Sequence, residues 1–274
     1  MSMQQRIAFS TLAFPDASLA SAVSLGRRWG YAGVELRLID GQLIDPSMPA
    51  ADRARVKRTL AGLPVVAVDT SIRLTGDDPG PQLGRFLELA SDWEAPLVRV
   101  FGGALAAEDQ DRKTRREQLR AAAAVLESSV PLASRLGVAI GVETHDDFSA
   151  SSVVAELLAM ADPEWVGAVW DSLHPHRMGD RPADVYANLR QRILLAQVKD
   201  ARRTPGSEGD EWQLVLLGEG EVPVREMLGL LEAGGYRRWI SVEWEKRWHP
   251  EIEEPKVALP QHLRLLREWM EAER

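Results

Sequence analysis

Eight short apolar runs, rich in β-branched residues, alternate along this chain with eight segments of helical spacing. The runs lie at residues 7–10, 33–36, 65–69, 97–101, 139–142, 166–170, 193–198 and 239–242. The helical patterns lie at 17–29, 51–61, 82–93, 112–136, 153–160, 182–191, 224–232 and 260–271. Strands that are apolar on both faces need helices over them, so this alternation predicts a parallel sheet. Eight such units in 274 residues match a single-domain α/β fold, the (β/α)8 TIM barrel. A doubly wound open sheet is the competing arrangement. It usually carries a glycine-rich phosphate turn after its first strand, whereas here Ser10 leads into Thr-Leu-Ala-Phe14 with no glycine. No linker, solenoid repeat or low-complexity block divides the chain, so one barrel domain is expected over residues 1–274. The closest thing to an insertion is RRTPGSEGDE at 202–211, which reads as a mobile loop after the seventh strand.

Composition removes several functions. With no cysteine, disulfides, thiolate metal sites and cysteine nucleophiles are excluded, and a reducing compartment is compatible. A formal net charge of −8 argues against a sequence-independent grip on nucleic acid, whose footprint is basic. The start, MSMQQRIAFS, lacks a basic region followed by an apolar one, and no apolar run reaches spanning length. A cytoplasmic location without membrane or nucleic-acid partners is expected. A homo-oligomer is left open.

In a barrel, chemistry belongs at the C-terminal ends of the strands. The fifth strand ends Gly-Val-Glu143-Thr-His145, the sixth Trp-Asp171-Ser-Leu-His174, the seventh supplies Gln197-Val-Lys199-Asp200, and the eighth ends Val-Glu243-Trp-Glu245. Residues two apart share a face, which groups Glu143 with His145, Gln197 with Lys199, and Glu243 with Glu245. Two glutamates, an aspartate and a glutamine amide then converge. Adjacent carboxylates repel one another unless a cation sits among them. An oxygen-rich set without thiolate suits a divalent metal ion such as Mn2+ or Mg2+ rather than a structural zinc.

These ordered motifs, together with Gly-Tyr-Ala-Gly-Val-Glu-Leu at 30–36, resemble the xylose isomerase-like TIM barrel superfamily, the sugar phosphate isomerase/epimerase family. The resemblance covers nearly the whole chain and specifies no substrate. It implies one divalent metal ion (Mn2+ or Mg2+, with Co2+ or Zn2+ possible) held by Glu143, Asp171, Gln197 and Glu243. It also implies that Glu143 and Glu243 are the catalytic acid–base pair. Many members place histidine where this chain has Gln197. Glutamine still ligates through its carbonyl oxygen, and members resembling hydroxypyruvate isomerases and dehydroshikimate dehydratases carry it there.

The same resemblance gives His174, in W-D-x-x-H, a substrate contact, and makes His145, Lys199 and Arg203 substrate-binding candidates. Glu35 and Arg99, inside the second and fourth strands, read as an ion pair across the lumen. Gly218-Glu-Gly220 before Val222-Pro223 reads as a turn into a helix rather than a nucleotide loop. The aromatic and charged segment 244–255 reads equally as a lid or a brace. The activity this resemblance implies is that of a metal-dependent isomerase/epimerase of a small-molecule sugar, polyol or hydroxy-keto acid, moving a proton through an enediolate. The alternatives are a dehydratase (lyase) of an inosose-like or 3-dehydroshikimate-like compound, a non-catalytic sugar-binding barrel and an endonuclease-type relative. The last needs a histidine-rich three-zinc cluster, and the five histidines here avoid the ends of strands three and four.

Overall fold

The computed structural model describes residues 3–108, 111–204 and 211–272. Its strands are β1 (Ile7–Ser10), β2 (Gly33–Leu36), β3 (Val65–Arg73), β4 (Leu97–Phe101), β5 (Ala139–Glu143), β6 (Val166–Asp171), β7 (Ile193–Val198) and β8 (Trp239–Val242). They pair in parallel in chain order and close when β1 joins β8. The closed ring settles the fold as a TIM barrel against the open-sheet alternative. Helices α1 (Leu19–Trp29), α2 (Ala50–Leu60), α3 (Pro79–Asp92), α4 (Arg112–Leu136), α5 (Ser151–Leu158), α6 (Leu173–Arg177), α7 (Pro182–Leu189), α8 (Val224–Ala233) and α9 (Pro255–Ala272) lie between and after the strands. None of the described helices is long and apolar enough to cross a membrane.

Strand parity divides the barrel into two chemistries. One face of each strand, including Val34, Leu36, Val98, Val100, Ile140, Val142, Trp170, Val198, Ile240 and Val242, joins the large core under the helices. Each such side chain contributes roughly 1.5–3 kcal/mol on full burial. The other face points into the lumen. There Ala8, Val66, Ala67, Leu97, Val169 and Leu195 form a separate apolar cluster, with Trp239 packed against it. Two residues further along the same faces come Asp69, Arg99, Asp171, Gln197 and Ser241. The lumen is therefore apolar below and polar at the C-terminal mouth. Glycine makes room for the apolar part: a Cβ on Gly141 would stand 2.7 Å from Val169 and 3.1 Å from Leu97.

The sequence reading misses three features. Strand β3 continues past Asp69 to Arg73 through a register break against β4, because its polar continuation hides the strand pattern. The short helix α6 holds His174, where a loop was expected. The expected loop at 202–211 is flanked by an antiparallel hairpin of Asp200–Arg203 with Trp212–Val215, and residues 205–210 lie outside the described residues.

The root of that hairpin is tied down by one carboxylate. Asp200 accepts from the backbone N–H groups of Ala201 (2.8 Å), Gly218 (2.8 Å), Gly220 (3.0 Å) and Val222 (3.1 Å). The segment 218–222 is thus a turn feeding Pro223 and α8, as expected, with Asp200 at its centre. Asp200→Ala leaves several backbone donors without their acceptor and should cost about 3 kcal/mol. Urea unfolding measures this, and a loss within about 0.5 kcal/mol, ordinary for a surface position, contradicts it.

Candidate metal centre and active site

Glu143 and Asp171 are the last residues of β5 and β6, Gln197 lies within β7, and Glu243 follows β8 directly. The ladder sets them at one level: Asp171 pairs with Gln197, and Gln197 with Ser241. Hydrogen bonding continues beyond the strands, with Glu243 N donating to Val198 O at 3.1 Å and Asp171 N to Thr144 Oγ1 at 3.0 Å. As a result, carboxylate oxygens of Glu143, Asp171 and Glu243 lie within 4.8 Å of one another. All three residues are buried. The two glutamates stand close together at a single point of the lumen.

Each ligand candidate is held from behind. Asp171 Oδ1 accepts from the backbone N–H of Leu173 (2.8 Å) and His174 (3.0 Å) at the start of α6, which leaves Oδ2 facing Lys199 Nζ at 3.1 Å. Lys199 Nζ also donates to Glu243 Oε2 at 2.6 Å and to Glu245 Oε1. Lys199 therefore partners the neighbouring carboxylates and not Asp200, which faces the hairpin root. Arg99 Nε lies 2.9 Å from Glu143 Oε2, and its Nη2 lies 3.5 Å from Asp69 Oδ2. The expected pairing of Arg99 with Glu35 is corrected here. Asp69 and Glu143 take the guanidinium, while Glu35 accepts from Gln197 Nε2 (2.8 Å) and Ser241 Oγ (2.5 Å).

Charge explains why the cluster wants a cation. With every carboxyl ionised, Glu35, Asp69, Glu143, Asp171 and Glu243 would outnumber the buried cations Arg37, Arg99 and Lys199 by two charges, and burial answers by raising Glu35 and Asp69 as well as Glu143 and Asp171. Burial pushes Glu143 up to about 7 against the opposing Arg99, with Glu243 adding to the rise. Burial likewise pushes Asp171 up to about 6, Lys199 opposing. Glu243 is held below the usual carboxylate range, since Lys199 and Arg99 outweigh its burial. Gln197 Oε1 is buried without a partner, while Glu143 Oε2 and Asp171 Oδ2 meet Arg99 and Lys199 as ion pairs outside hydrogen-bond geometry. An excess of negative oxygen donors with unused lone pairs fits a hard or borderline divalent cation.

The remaining candidates divide. His174, in α6, is buried, and desolvation followed by the charges of Lys199 and His145 keeps its ring neutral. Its Nε2 is without a hydrogen-bond partner and lies 3.9 Å from Asp171 Oδ1. His145 packs between Phe101 and His174, with ring centroids 4.4 Å from each. Asp146 stands 2.9 Å from its Nδ1, so Nε2 is the ring atom left for a ligand. Arg203 stays outside this cluster, exposed, with its guanidinium 5.3 Å from the Trp212 ring centroid. Asp69, Arg37 and Ser241 escape the sequence reading. Asp69 ends an apolar run just as Asp171 does, and Arg37 shares the parity of Glu35, so strand alternation held both signals.

Segment 244–255 is a brace with a lining role. Trp244 is fully buried and donates through Nε1 to Glu253 O at 2.9 Å. Glu245, His249 and Glu251 line a cavity of about 660 Å3 at the mouth, with His174 and Arg177 from α6 and Trp212 from the hairpin. That volume suits a small ligand.

A parallel eight-stranded barrel with a carboxylate-rich centre at its C-terminal mouth is the class that this fold and centre define. The chain belongs to the xylose isomerase-like TIM barrel family, whose sequence model matches residues 23–269. A search of curated proteins finds no match. Among solved structures it is similar to the probable 3-DHS dehydratase AsbF from Bacillus anthracis, with 18% identity, TM-score 0.73, and 95% of this chain and 98% of that one covered. It is similar to the IOLI protein with a bound zinc atom, at 17% identity and TM-score 0.77, covering 98% and 99%. It is also similar to an L-ribulose 3-epimerase, at 16% identity and TM-score 0.76, covering 98% and 95%. The likeness to these structures is one of fold; two are named for a dehydratase and an epimerase, and the third for its zinc atom.

The carboxyls raised by burial set a pH dependence. A carboxyl whose folded pKa exceeds its unfolded one binds more protons in the folded state, so stability falls as pH rises between the two values. For Glu143 that window runs from 4.5 to about 7, and for Asp171 from 3.8 to about 6. The metal-free protein should therefore lose stability from pH 4.5 towards 7, at up to about 1.4 kcal/mol per pH unit for each group. Chemical unfolding in a chelator across this range checks it. The slope should flatten in Glu143→Gln, and an unchanged slope contradicts the assignment.

Proposed function

We propose that this protein is a divalent-metal-dependent isomerase or epimerase of a small sugar or hydroxy-keto acid. The observation that carries the reading is the convergence of Glu143, Asp171 and Glu243 oxygens within 4.8 Å in a buried, net-negative lumen, beside the unpartnered Gln197 Oε1. On this reading Glu143, Asp171, Gln197 and Glu243 hold the metal. The bound ion supplies Lewis-acid polarisation of a substrate carbonyl and its neighbouring hydroxyl.

The chain's own groups do the rest. Glu143 or Glu243 removes the proton next to the carbonyl, and the other returns it at the same or the adjacent carbon. Arg99 against Glu143 and Lys199 against Glu243 hold the two carboxylates in place. His174 and His145 present ring nitrogens to substrate hydroxyls, and the 660 Å3 cavity beside them accommodates the part of the substrate that does not react. A stretch of β7 ending in polar residues thus carries a ligand, a cation for substrate or carboxylate, and the anchor of the hairpin.

A lyase is the second reading, favoured by one observation. Burial lowers the Lys199 pKa, but Asp171, Glu243 and Glu245 outweigh it and hold the amine well above its ordinary value. Lys199 therefore stays an ammonium beside the proposed bases, a hydrogen-bond donor able to steady a departing hydroxyl. With a substrate bearing a β-hydroxyl, the ammonium hydrogen-bonds the leaving oxygen, and the proton taken by the glutamate departs with it as water. Growth of conjugated-enone or aromatic absorbance with inosose-like or dehydroshikimate-like compounds identifies the lyase, and interconversion of sugars or hydroxy-keto acids without it identifies the isomerase.

Three variants separate binding from chemistry once a metal-dependent screen has found the substrate. A chelator should abolish turnover and Mn2+ restore it. Glu143→Gln and Glu243→Gln keep an amide oxygen but lose the base, so metal content should fall partly while single-turnover rate falls by more than about 10²–10⁴-fold. Gln197→His should retain metal and some activity, with preference moved towards zinc. Near-normal turnover by both glutamate variants would show that another group moves the proton, His174 being next.

A further inference from the structure

An amide ligand has two ends, and only one of them binds a metal. The carbonyl oxygen of Gln197 can ligate, whereas the –NH2 nitrogen has no available lone pair. Rotation about the last side-chain bond exchanges the two ends, so something must decide between them. A histidine at this position would need no such device.

The neighbours of Gln197 make the choice. Glu35 reaches across the lumen from β2 and accepts from Gln197 Nε2 at 2.8 Å. Glu243 Oε1 lies 3.4 Å from the same nitrogen. With the amide reversed, its oxygen would face both carboxylates. Glu35 is itself fixed: Ser241, paired with Gln197 in the β7–β8 ladder, donates through Oγ to Glu35 Oε2 at 2.5 Å. All three residues are fully buried, and Gln197 Oε1 is left without a partner. Leaving a buried carbonyl oxygen unsatisfied is unfavourable, so a free oxygen beside the carboxylates is a feature the surroundings impose.

We propose that Glu35 is a positioning residue that holds Gln197 by its nitrogen and thereby turns the carbonyl oxygen to the metal. The inference rests on the metal-centre reading above. It is the amide counterpart of the carboxylates that orient metal-binding histidines, whose loss weakens affinity about 10–100-fold.

The test is an exchange of the two side chains, read by calorimetric titration with Mn2+ alone and by the Mn2+ electron paramagnetic resonance signal. In Glu35→Gln the new amide can donate as well as accept, so either end of Gln197 is tolerated. Mn2+ affinity should fall about 10–100-fold. In Glu35→Gln/Gln197→Glu the hydrogen bond is restored with its roles reversed, the charge of the pair is unchanged, and either oxygen of residue 197 can ligate. Affinity should recover most of the loss, a coupling that additive damage to packing does not produce. Ser241→Ala, a milder change that leaves Glu35 in place, should weaken Mn2+ in the same direction by less, and keeps the test open if Glu35→Gln folds poorly. Wild-type Mn2+ affinity in Glu35→Gln and Ser241→Ala, or no recovery in the exchanged pair, overturns the inference. If the wild type binds Mn2+ and Asp171→Asn weakens it while Glu35→Gln does not, only the positioning role falls. If the wild type takes up no Mn2+, the metal reading falls and this one with it.

Discussion

The constraint on which this barrel depends is the burial of like charge at its mouth. An isolated carboxylate moved from water into a protein interior costs several kcal/mol even after relaxation, and adjacent ones repel. Here Glu35, Asp69, Glu143, Asp171 and Glu243 share one lumen. Arg99 meets part of the charge between Asp69 and Glu143, and Lys199 meets part between Asp171 and Glu243. The remainder appears as carboxyls raised towards neutrality and as oxygens without partners. A structure optimised for stability alone would fill this space with aliphatic side chains, as it does one layer lower around Leu97, Val169 and Leu195.

Stability is supplied elsewhere. The outer parity of every strand is apolar and sealed by helices, and the lower lumen is plugged. Adjacent residues of one strand serve opposite ends: Val142 belongs to the core and Glu143 to the cluster, Val198 to the core and Gln197 to the cluster. That division explains why the four ligand candidates were readable from sequence. A charged residue placed at lumen parity after an uninterrupted apolar run has no packing reason to be there.

Legibility failed where pairing depends on distance across the ring. Parity places Glu35 and Arg99 in the lumen but does not say which residue each meets. Arg99 lies beside Asp69 in the β3–β4 register and reaches Glu143 on the next strand. Glu35 spans to residues 162 and 206 positions away. The hairpin at 200–215 failed for a local reason, since Trp-Gln-Leu-Val is too short a run to stand out beside a Pro/Gly-rich stretch. The substrate roles given to His145, His174 and Arg203 came from family likeness. Two of these residues meet at the mouth, while Arg203 stacks outside on Trp212.

The glutamine on β7 shapes the chemistry of the whole centre. Histidine would offer a borderline nitrogen donor and draw the site towards zinc; an amide oxygen keeps the donor set all-oxygen and neutral at that position. Amide and neutral imidazole alike bring no charge, so the carboxylates carry all the negative charge of this donor set. An amide with its oxygen turned inward needs an acceptor for its nitrogen, and the buried Glu35 is hydrogen-bonded there. Burial, followed by the charges of Asp69 and Glu243, pushes the Glu35 carboxyl well up, so it adds to the crowding of acid groups at this mouth. Residues 35, 197 and 243 share one hydrogen-bonded set, so on the proposed reading ligand choice, ligand orientation and charge at this mouth are linked.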